Sequence, residues 1–349
     1  MTDQASGVDS TGDEATEIAT LIDTQALDLW LQSQKLKNIE PLKVSKLKGG
    51  ASNEMFVLSF ESNGINTEWI LRRSSGIAWE KAEKGLQREY RLLKALTHSD
   101  IPTPAAIALC TDKTAMGSIF YIMEKINGFT PAMQIPKAFT ADASLIKATA
   151  YAGLDALAKL HQIDWRAVGL EDYGKPDDFH QRQVGRWTSQ LDSYVENYGG
   201  RELPALKKIG EWLQQNLPSN WTPTIMHGDY HPLNIMMGPE LPPRIVAIVD
   251  WETSTIGDPF LDLVGFLDIW YDANAGIDWP SYDEMVAYYL SLVDYQAENF
   301  VYYQLLYYFR QSVLLEGIYQ RSLVDKTRDN QDAIGEHVLR MIDRAEKLL

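Results

Sequence analysis

The sequence has one cysteine in 349 residues, Cys110, so an internal disulfide framework is excluded and a reducing, cytoplasmic setting is expected. It lacks any run approaching the roughly 18–20 apolar residues that a membrane helix needs, and no membrane partner is expected. Basic side chains are the minority. The 32 Lys and Arg against 48 Asp and Glu leave a formal charge of −16, which argues against nucleic-acid and anionic-lipid partners. Such a charge suits a cationic substrate without requiring one. With Gly 23, Pro 15 and 45% hydrophobic residues, collagen-like and wholly disordered chains are also excluded. The opening stretch, MTDQASGVDSTGDEATE, has neither the basic start nor the apolar core of a signal peptide.

A length of 349 residues is enough for two domains or two lobes. Residues 1–20 read as a disordered acidic tail, with five acidic side chains and no basic one in the first 17. A helix follows, with Thr24 as its N-cap and Leu27, Trp30 and Leu31 at helical spacing. From Leu42 the pattern is strand-like, through Met55–Phe60 and then Trp69–Arg73 after an Asn63-Gly64 hairpin signal. Residues 74–82 read as a loop and Gln87–Leu96 as a helix, before short strands at Ala106–Leu109 and Ile119–Met123. Beyond Asn127-Gly128 helices dominate (Ser144–Gln162, Gln181–Tyr194, most of Pro259–Leu349), interrupted by apolar strands at 224–226, 234–237 and 245–249. The expected architecture is α+β, with a sheet-bearing N-lobe over 21–126, a helical C-lobe over 127–349, and a cleft between them.

Chemistry concentrates in His227-Gly228-Asp229-Tyr230-His231-Pro232-Leu233-Asn234 and Val249-Asp250-Trp251-Glu252. An Asp at the head of an irregular loop and an Asn four intervening residues later can reach one reaction centre from two sides. A second Asp ending a buried strand adds another carboxylate. This hard-oxygen set of Asp229, Asn234 and Asp250 suits Mg²⁺, which takes few protein ligands and keeps waters and phosphate oxygens. The plainer alternative makes both Asp residues turn formers and His227 a satisfied core histidine. Gly49-Gly50-x-Ser52-Asn53 reads either as a simple hairpin turn or as a turn presenting backbone N–H groups to phosphate.

HGDYHPLN followed by VDWE resembles the aminoglycoside phosphotransferase and choline-kinase-like family, over roughly Leu42 to Phe266. The resemblance implies a protein-kinase-like two-lobe fold and a small-molecule kinase, with ATP or GTP as co-substrate and a small hydroxyl compound as acceptor. It further implies Asp229 as the group that accepts the hydroxyl proton, with Asn234 and Asp250 as Mg²⁺ ligands. Arg72 stands where kinases place a phosphate-contacting lysine, and Glu89 is its natural partner; strand alternation puts Arg72 on the face of Ile70 and sends Arg73 outward. A guanidinium fork differs from an ammonium point charge in how it meets phosphate. The backbone at Glu124 and Ile126 corresponds to the base-binding segment, so ATP and GTP are not separated. His227, Asp258 and Asp262 are support for the catalytic loop. Asp258 reads as an N-cap with Pro259 at the first helical position.

Arg182-Gln183-Val184-Gly185-Arg186-Trp187, Leu71-Arg72-Arg73 and Leu160-His161-x-x-Asp164 resemble the branch found as domains fused to acyl-CoA dehydrogenases. That branch points to a hydroxyacyl or CoA-linked acceptor. Arg182 and Arg186, four apart, are candidate anchors for an anionic group; the alternative is a solvated face with Trp187 in the core. The aromatic run Tyr302-Tyr303, Tyr307-Tyr308-Phe309 reads as core, with one side available to line an acceptor pocket. The remaining alternatives are an aminoglycoside or choline-like kinase and a nucleotide-binding pseudokinase without transfer. All three chemical positions are filled, which counts against the pseudokinase. A protein kinase is disfavoured because Asp250-Trp251-Glu252 replaces Asp-Phe-Gly and no Ala-Pro-Glu follows.

Overall fold

The computed structural model describes residues 21–47, 53–62, 64–74, 79–296, 299–325 and 331–349. The acidic tail, Gly49, Gly50, Ser52 and Asn63 therefore lie outside the described residues, and the Asn53 side chain is not described. Two compact units result. One runs through Asn127 and includes Val246–Glu252; the other comprises Gly128–Ile245 and Thr253–Leu349.

The first unit is a five-stranded sheet in the order β1-β2-β3-β5-β4. Its strands are β1 (Lys43–Lys46), β2 (Asn53–Ser62), β3 (Ile65–Ser74), β4 (Ala106–Cys110) and β5 (Phe120–Glu124). All adjacent pairs are antiparallel. The β2–β3 pairing runs down to Ser62 opposite Ile65, and Gly64 lies just before β3 begins. Gly64 has φ +79 there, a conformation that glycine adopts without a Cβ penalty. One sheet face carries Phe56, Leu58, Leu71, Phe120 and Ile122 against Leu27 and Leu31 of α1 (Thr24–Ser33). Burying each of these side chains is worth about 2 kcal/mol. Helix α1 is capped by Asp23, whose Oδ1 accepts from Ala26 N at 2.9 Å, one residue before the expected Thr24 cap. A carboxylate at that position reaches the third amide of the helix, and Thr24 becomes its first helical residue.

Strand alternation sends Ile70 and Arg72 away from Leu71, and Arg72 lies opposite Tyr121 in the β3–β5 register. Helix α2 (Trp79–Leu96) buries Leu86, Glu89, Leu93 and Leu96, one face at 3-4-3 spacing. It begins earlier than the sequence pattern suggested: residues 79–82 are helical, and β3 continues through Ser74. The run Glu80-Lys81-Ala82-Glu83-Lys84 is rich in good helix formers, and its polarity hid the helix.

The second unit is helical: α3 (Ala143–His161), α4 (Phe179–Tyr198), α5 (Pro204–Gln215), α6 (Phe260–Ala273), α7 (Tyr282–Leu292), α8 (Phe300–Val324) and α9 (Asp332–Glu346). Helix α6, with the run Leu261-Asp262-Leu263-Val264-Gly265-Phe266-Leu267 entirely buried, is apolar all round, the signature of a central helix. Gly153 of α3 lets it approach closely, because a Cβ there would sit 2.4 Å from the Phe266 ring. Two short strands, β6 (Thr224–Met226) and β9 (Thr255–Gly257), pair antiparallel. Strand β7 (Ile235–Met237) follows the loop 227–234, while β8 (Ile245–Ile248) belongs from Val246 onward to the first unit. Among the described residues no helix is long and apolar enough to cross a membrane.

Candidate active site

The loop 227–234 leaves β6 through Gly228, at φ +84. A Cβ on that residue would lie 2.5 Å from the Thr253 carbonyl oxygen, so glycine is required both by conformation and by space. Asp262 on α6 grips the loop's start: its Oδ2 accepts from His227 N at 2.6 Å and its Oδ1 from Gly228 N at 2.8 Å. Thr253 Oγ1 donates to His227 O at 3.1 Å, and Tyr230 OH donates to Gly153 O at 2.7 Å. Every anchor is backbone-directed, which fixes the chain's path as well as its side chains.

That path brings Asp229, Asn234 and His231 together. Asn234 Nδ2 donates to Asp229 O at 3.0 Å and to Asp229 Oδ2 at 3.2 Å. With the amide hydrogens so committed, Asn234 Oδ1 is left as an acceptor. His231 Nδ1 accepts from Leu233 N at 3.3 Å, which assigns the Nε2 proton to the side facing Asp229 Oδ2, 3.3 Å away. Burial pushes the Asp229 carboxyl up. The His231 hydrogen bond and the charges of His231, His227 and Arg310 together outweigh it, and the group titrates below the usual carboxylate range. Asp229 is thus ionised at neutral pH while remaining partly open, its side chain 36% exposed.

Asp258 and Asp262 play different parts. Asp262 also faces His161 Nε2 at 3.4 Å, and His161 Nδ1 meets Tyr289 OH at 2.6 Å. Asp258 Oδ1 accepts from Phe260 N at 3.0 Å, and its Oδ2 meets His180 Nε2 at 3.0 Å. The expected cap by Asp258 is therefore made by its side chain, while α6 proper starts one residue later, at Phe260.

In the first unit, Arg72 is a buried hub. Its Nη1 donates to Glu89 Oε1 at 3.0 Å, and its Nη2 to Asp250 Oδ1 at 3.1 Å and Glu252 Oε2 at 3.4 Å. Burial alone would lower its affinity for the proton, but Glu89, Tyr121 and Asp250 raise it above the ordinary arginine value. Burial pushes Glu89 up to about 7 despite Arg72, and Trp251 N donates to its Oε1 at 3.3 Å. Asp250 has φ +64, a strained backbone for a non-glycine residue and one that Asp tolerates better than most. Arg73, sent the other way, pairs with Glu54 at 3.4 Å. Glu124 is exposed, and its N–H donates to Ala105 O at 3.0 Å; Ile126 is half-buried.

Arg182 and Arg186 are exposed on α4. The first donates to Lys175 O, and the second lies 4.7 Å over the Trp187 ring. The residue that sequence reasoning missed is Arg310 of α8, whose Nη2 donates to Gly228 O. Its signal was a lone cation directly after the Tyr302–Phe309 aromatic stretch, on a largely buried part of the helix. His231 was visible in the motif but had no role assigned, and nothing in the sequence marked Tyr121.

Residues 43–301 match the phosphotransferase enzyme family, and the chain belongs to it. Over 300 residues it is 31% identical to acyl-CoA dehydrogenase family member 11 of Homo sapiens, covering 81% of this chain and 37% of that protein. The chain thus spans little more than a third of that relative's length. A candidate aminoglycoside phosphotransferase from Ralstonia eutropha superimposes with a TM-score of 0.79 at 28% identity, covering 94% of this chain and 98% of the other. An aminoglycoside phosphotransferase solved with GDP and kanamycin shares the fold, with a TM-score of 0.61 at 16% identity over 92% of this chain and 98% of the other. The family and the kinase-like α+β fold implied by HGDYHPLN and VDWE are both borne out.

Proposed function

We infer that the chain is a magnesium-dependent small-molecule kinase that transfers the γ-phosphoryl group of a nucleoside triphosphate to a hydroxyl. The observation that carries this is Asp229, ionised, partly open and held by Asn234 and His231 on a loop braced by Asp262. In this reading Asp229 takes the proton of the acceptor hydroxyl as that oxygen bonds to the γ-phosphorus. The bond from phosphorus to the β-phosphate oxygen breaks, and the nucleoside diphosphate leaves. Arg72, oriented by Glu89, contacts the phosphates; the Glu124–Ile126 backbone takes the base. Gly49, Gly50, Ser52 and Asn53 are assigned to phosphate contact on sequence alone.

The donors fit Mg²⁺: Asn234 offers an amide oxygen whose nitrogen is committed elsewhere, and Asp250 a carboxylate whose side chain is 40% exposed. Magnesium, when bound by them, supplies positive charge that offsets the phosphate oxygens. For the acceptor, the reading favours a hydroxyl on an acyl compound, free or carried on CoA. Its support is the relative named for an acyl-CoA dehydrogenase family and the apolar Leu261 and Tyr307 beside Asp229. A thermal-shift titration with ATP and GTP tests the reaction class. Stabilisation that disappears with a chelator is expected, since a ligand binding only the native state raises the melting temperature. Equal stabilisation with and without Mg²⁺ contradicts the metal assignment.

A further inference from the structure

A small pocket within the helical unit is lined by Asp229, His231, Leu261, Tyr307, Arg310 and Gln311 among others. Arg310 is more than nine-tenths buried, at 8% exposure. Among the described residues it has one hydrogen-bond acceptor, the Gly228 carbonyl, although a guanidinium carries five N–H donors. Burial depresses its proton affinity, and Asp229, Asp262 and Tyr307 oppose that loss. A fixed cation with spare donors thus sits at the wall of the pocket that holds the expected base. Arg186 adds a second positive charge acting on Arg310, and the Arg310 guanidinium lies 5.8 Å over the same Trp187 ring that Arg186 covers.

The same pocket carries the carboxylates of Asp229 and Asp262, so the Arg310 guanidinium is set against two acidic groups. Asp262 is committed to the loop, both its oxygens accepting backbone N–H groups, which leaves Asp229 as the carboxylate open to an acceptor. A hydroxyl compound carrying an acyl oxygen a few bonds away would find a complement for each end: Asp229 for the hydroxyl proton and Arg310 for the oxygen.

Resting on the kinase reading above, we propose that Arg310 is a specificity-determining residue of the acceptor site, donating to an acyl oxygen of the substrate. The acyl oxygen belongs either to a free carboxylate or to a thioester carbonyl. Arg182 takes no part, its guanidinium being engaged by Lys175 O.

The test uses the full chain with γ-labelled ATP. Its acceptors are ω-hydroxy carboxylic acids of three to six carbons, their CoA thioesters, the matching diols, and amino alcohols. Wild type should prefer acids or thioesters, and the preferred arm identifies the source of the oxygen. Arg310→Met should raise KM for that acceptor by about 10- to 100-fold, the equivalent of one charged hydrogen bond, and should raise it markedly less for the diols. Arg310→Lys should recover part of the loss, and Arg186→Ala should raise KM only about twofold. Equal effects of Arg310→Met on acids, thioesters and diols would reduce Arg310 to a structural role and overturn the proposal. So would a wild-type preference for amino alcohols, which leaves the kinase reading intact. Calorimetric binding of the hydroxy acids and thioesters to wild type and both Arg310 variants, without nucleotide, decides the point independently of turnover. Failure of ATP to bind or react strikes the kinase reading, whereas indifference of acceptor binding to Arg310 strikes this one.

Discussion

The two charged centres are held in opposite ways. Around Arg72 one guanidinium is shared among three carboxylates, two of which, Asp250 and Glu252, have side chains about 40% exposed. Around Asp229 the decisive bonds run from side chains to backbone, with Asp262 gripping two consecutive amides. A shared arginine can exchange one carboxylate for a phosphate oxygen at modest cost, because its partners are alternatives to each other. A loop pinned through its amides cannot trade partners, since an unpaired buried N–H costs about 1–3 kcal/mol. The first arrangement suits a ligand that comes and goes, and the second suits a base that must stay in place.

Substitutions can break this contrast, and the largest effect is expected at Asp229. Asp229→Asn should lower kcat by about 100- to 10,000-fold with little change in melting temperature, measured by initial rates beside a thermal melt. Asp262→Ala should act on stability instead. It strands two buried amides and the His161 partner, and a loss of about 3–5 kcal/mol in denaturant unfolding is expected. A loss below about 1 kcal/mol would mean that the loop does not depend on this brace. Gly228→Ala should cost about 1–3 kcal/mol, because φ +84 and the Thr253 carbonyl both oppose a Cβ. Arg72→Lys should be milder in stability yet visible in nucleotide KM, since an ammonium cannot span Glu89 and Asp250 as a fork does. At the bottom of the scale, Arg182→Ala should change acceptor KM by less than about twofold; a tenfold rise would return it to the site.

What the sequence disclosed follows the range of the interactions involved. Strands 224–226 and 245–248, the 62–65 hairpin and the helical second half were legible because periodicity and turn chemistry are local. The face of Arg72 was legible from strand alternation, whereas Glu89 was named as its partner through the resemblance, and the two meet at 3.0 Å. Strand β9 was too short to show a period, and helix α5 passed unread because its apolar residues alternate with Lys207, Lys208 and Glu211. The early start of α2 was hidden by polar residues that favour helix without announcing burial. Arg310 was hidden for a different reason: its partners Gly228 and Asp229 lie some 80 residues away in sequence. No local pattern records such a contact. The same holds for the two amides held by Asp262, although the motif itself drew attention to that residue.

Comparing Asp229→Asn with Asp250→Ala in one calorimetric experiment, titrating each with Mg-nucleotide, tests the division of labour most directly. Asp229→Asn should bind within about threefold of wild type, because the base acts on the acceptor hydroxyl and not on the nucleotide. Asp250→Ala should lose the magnesium-dependent part of the affinity. Two variants with the same affinity, whether both intact or both lost, would contradict the assignment of proton transfer to Asp229 and metal binding to Asp250.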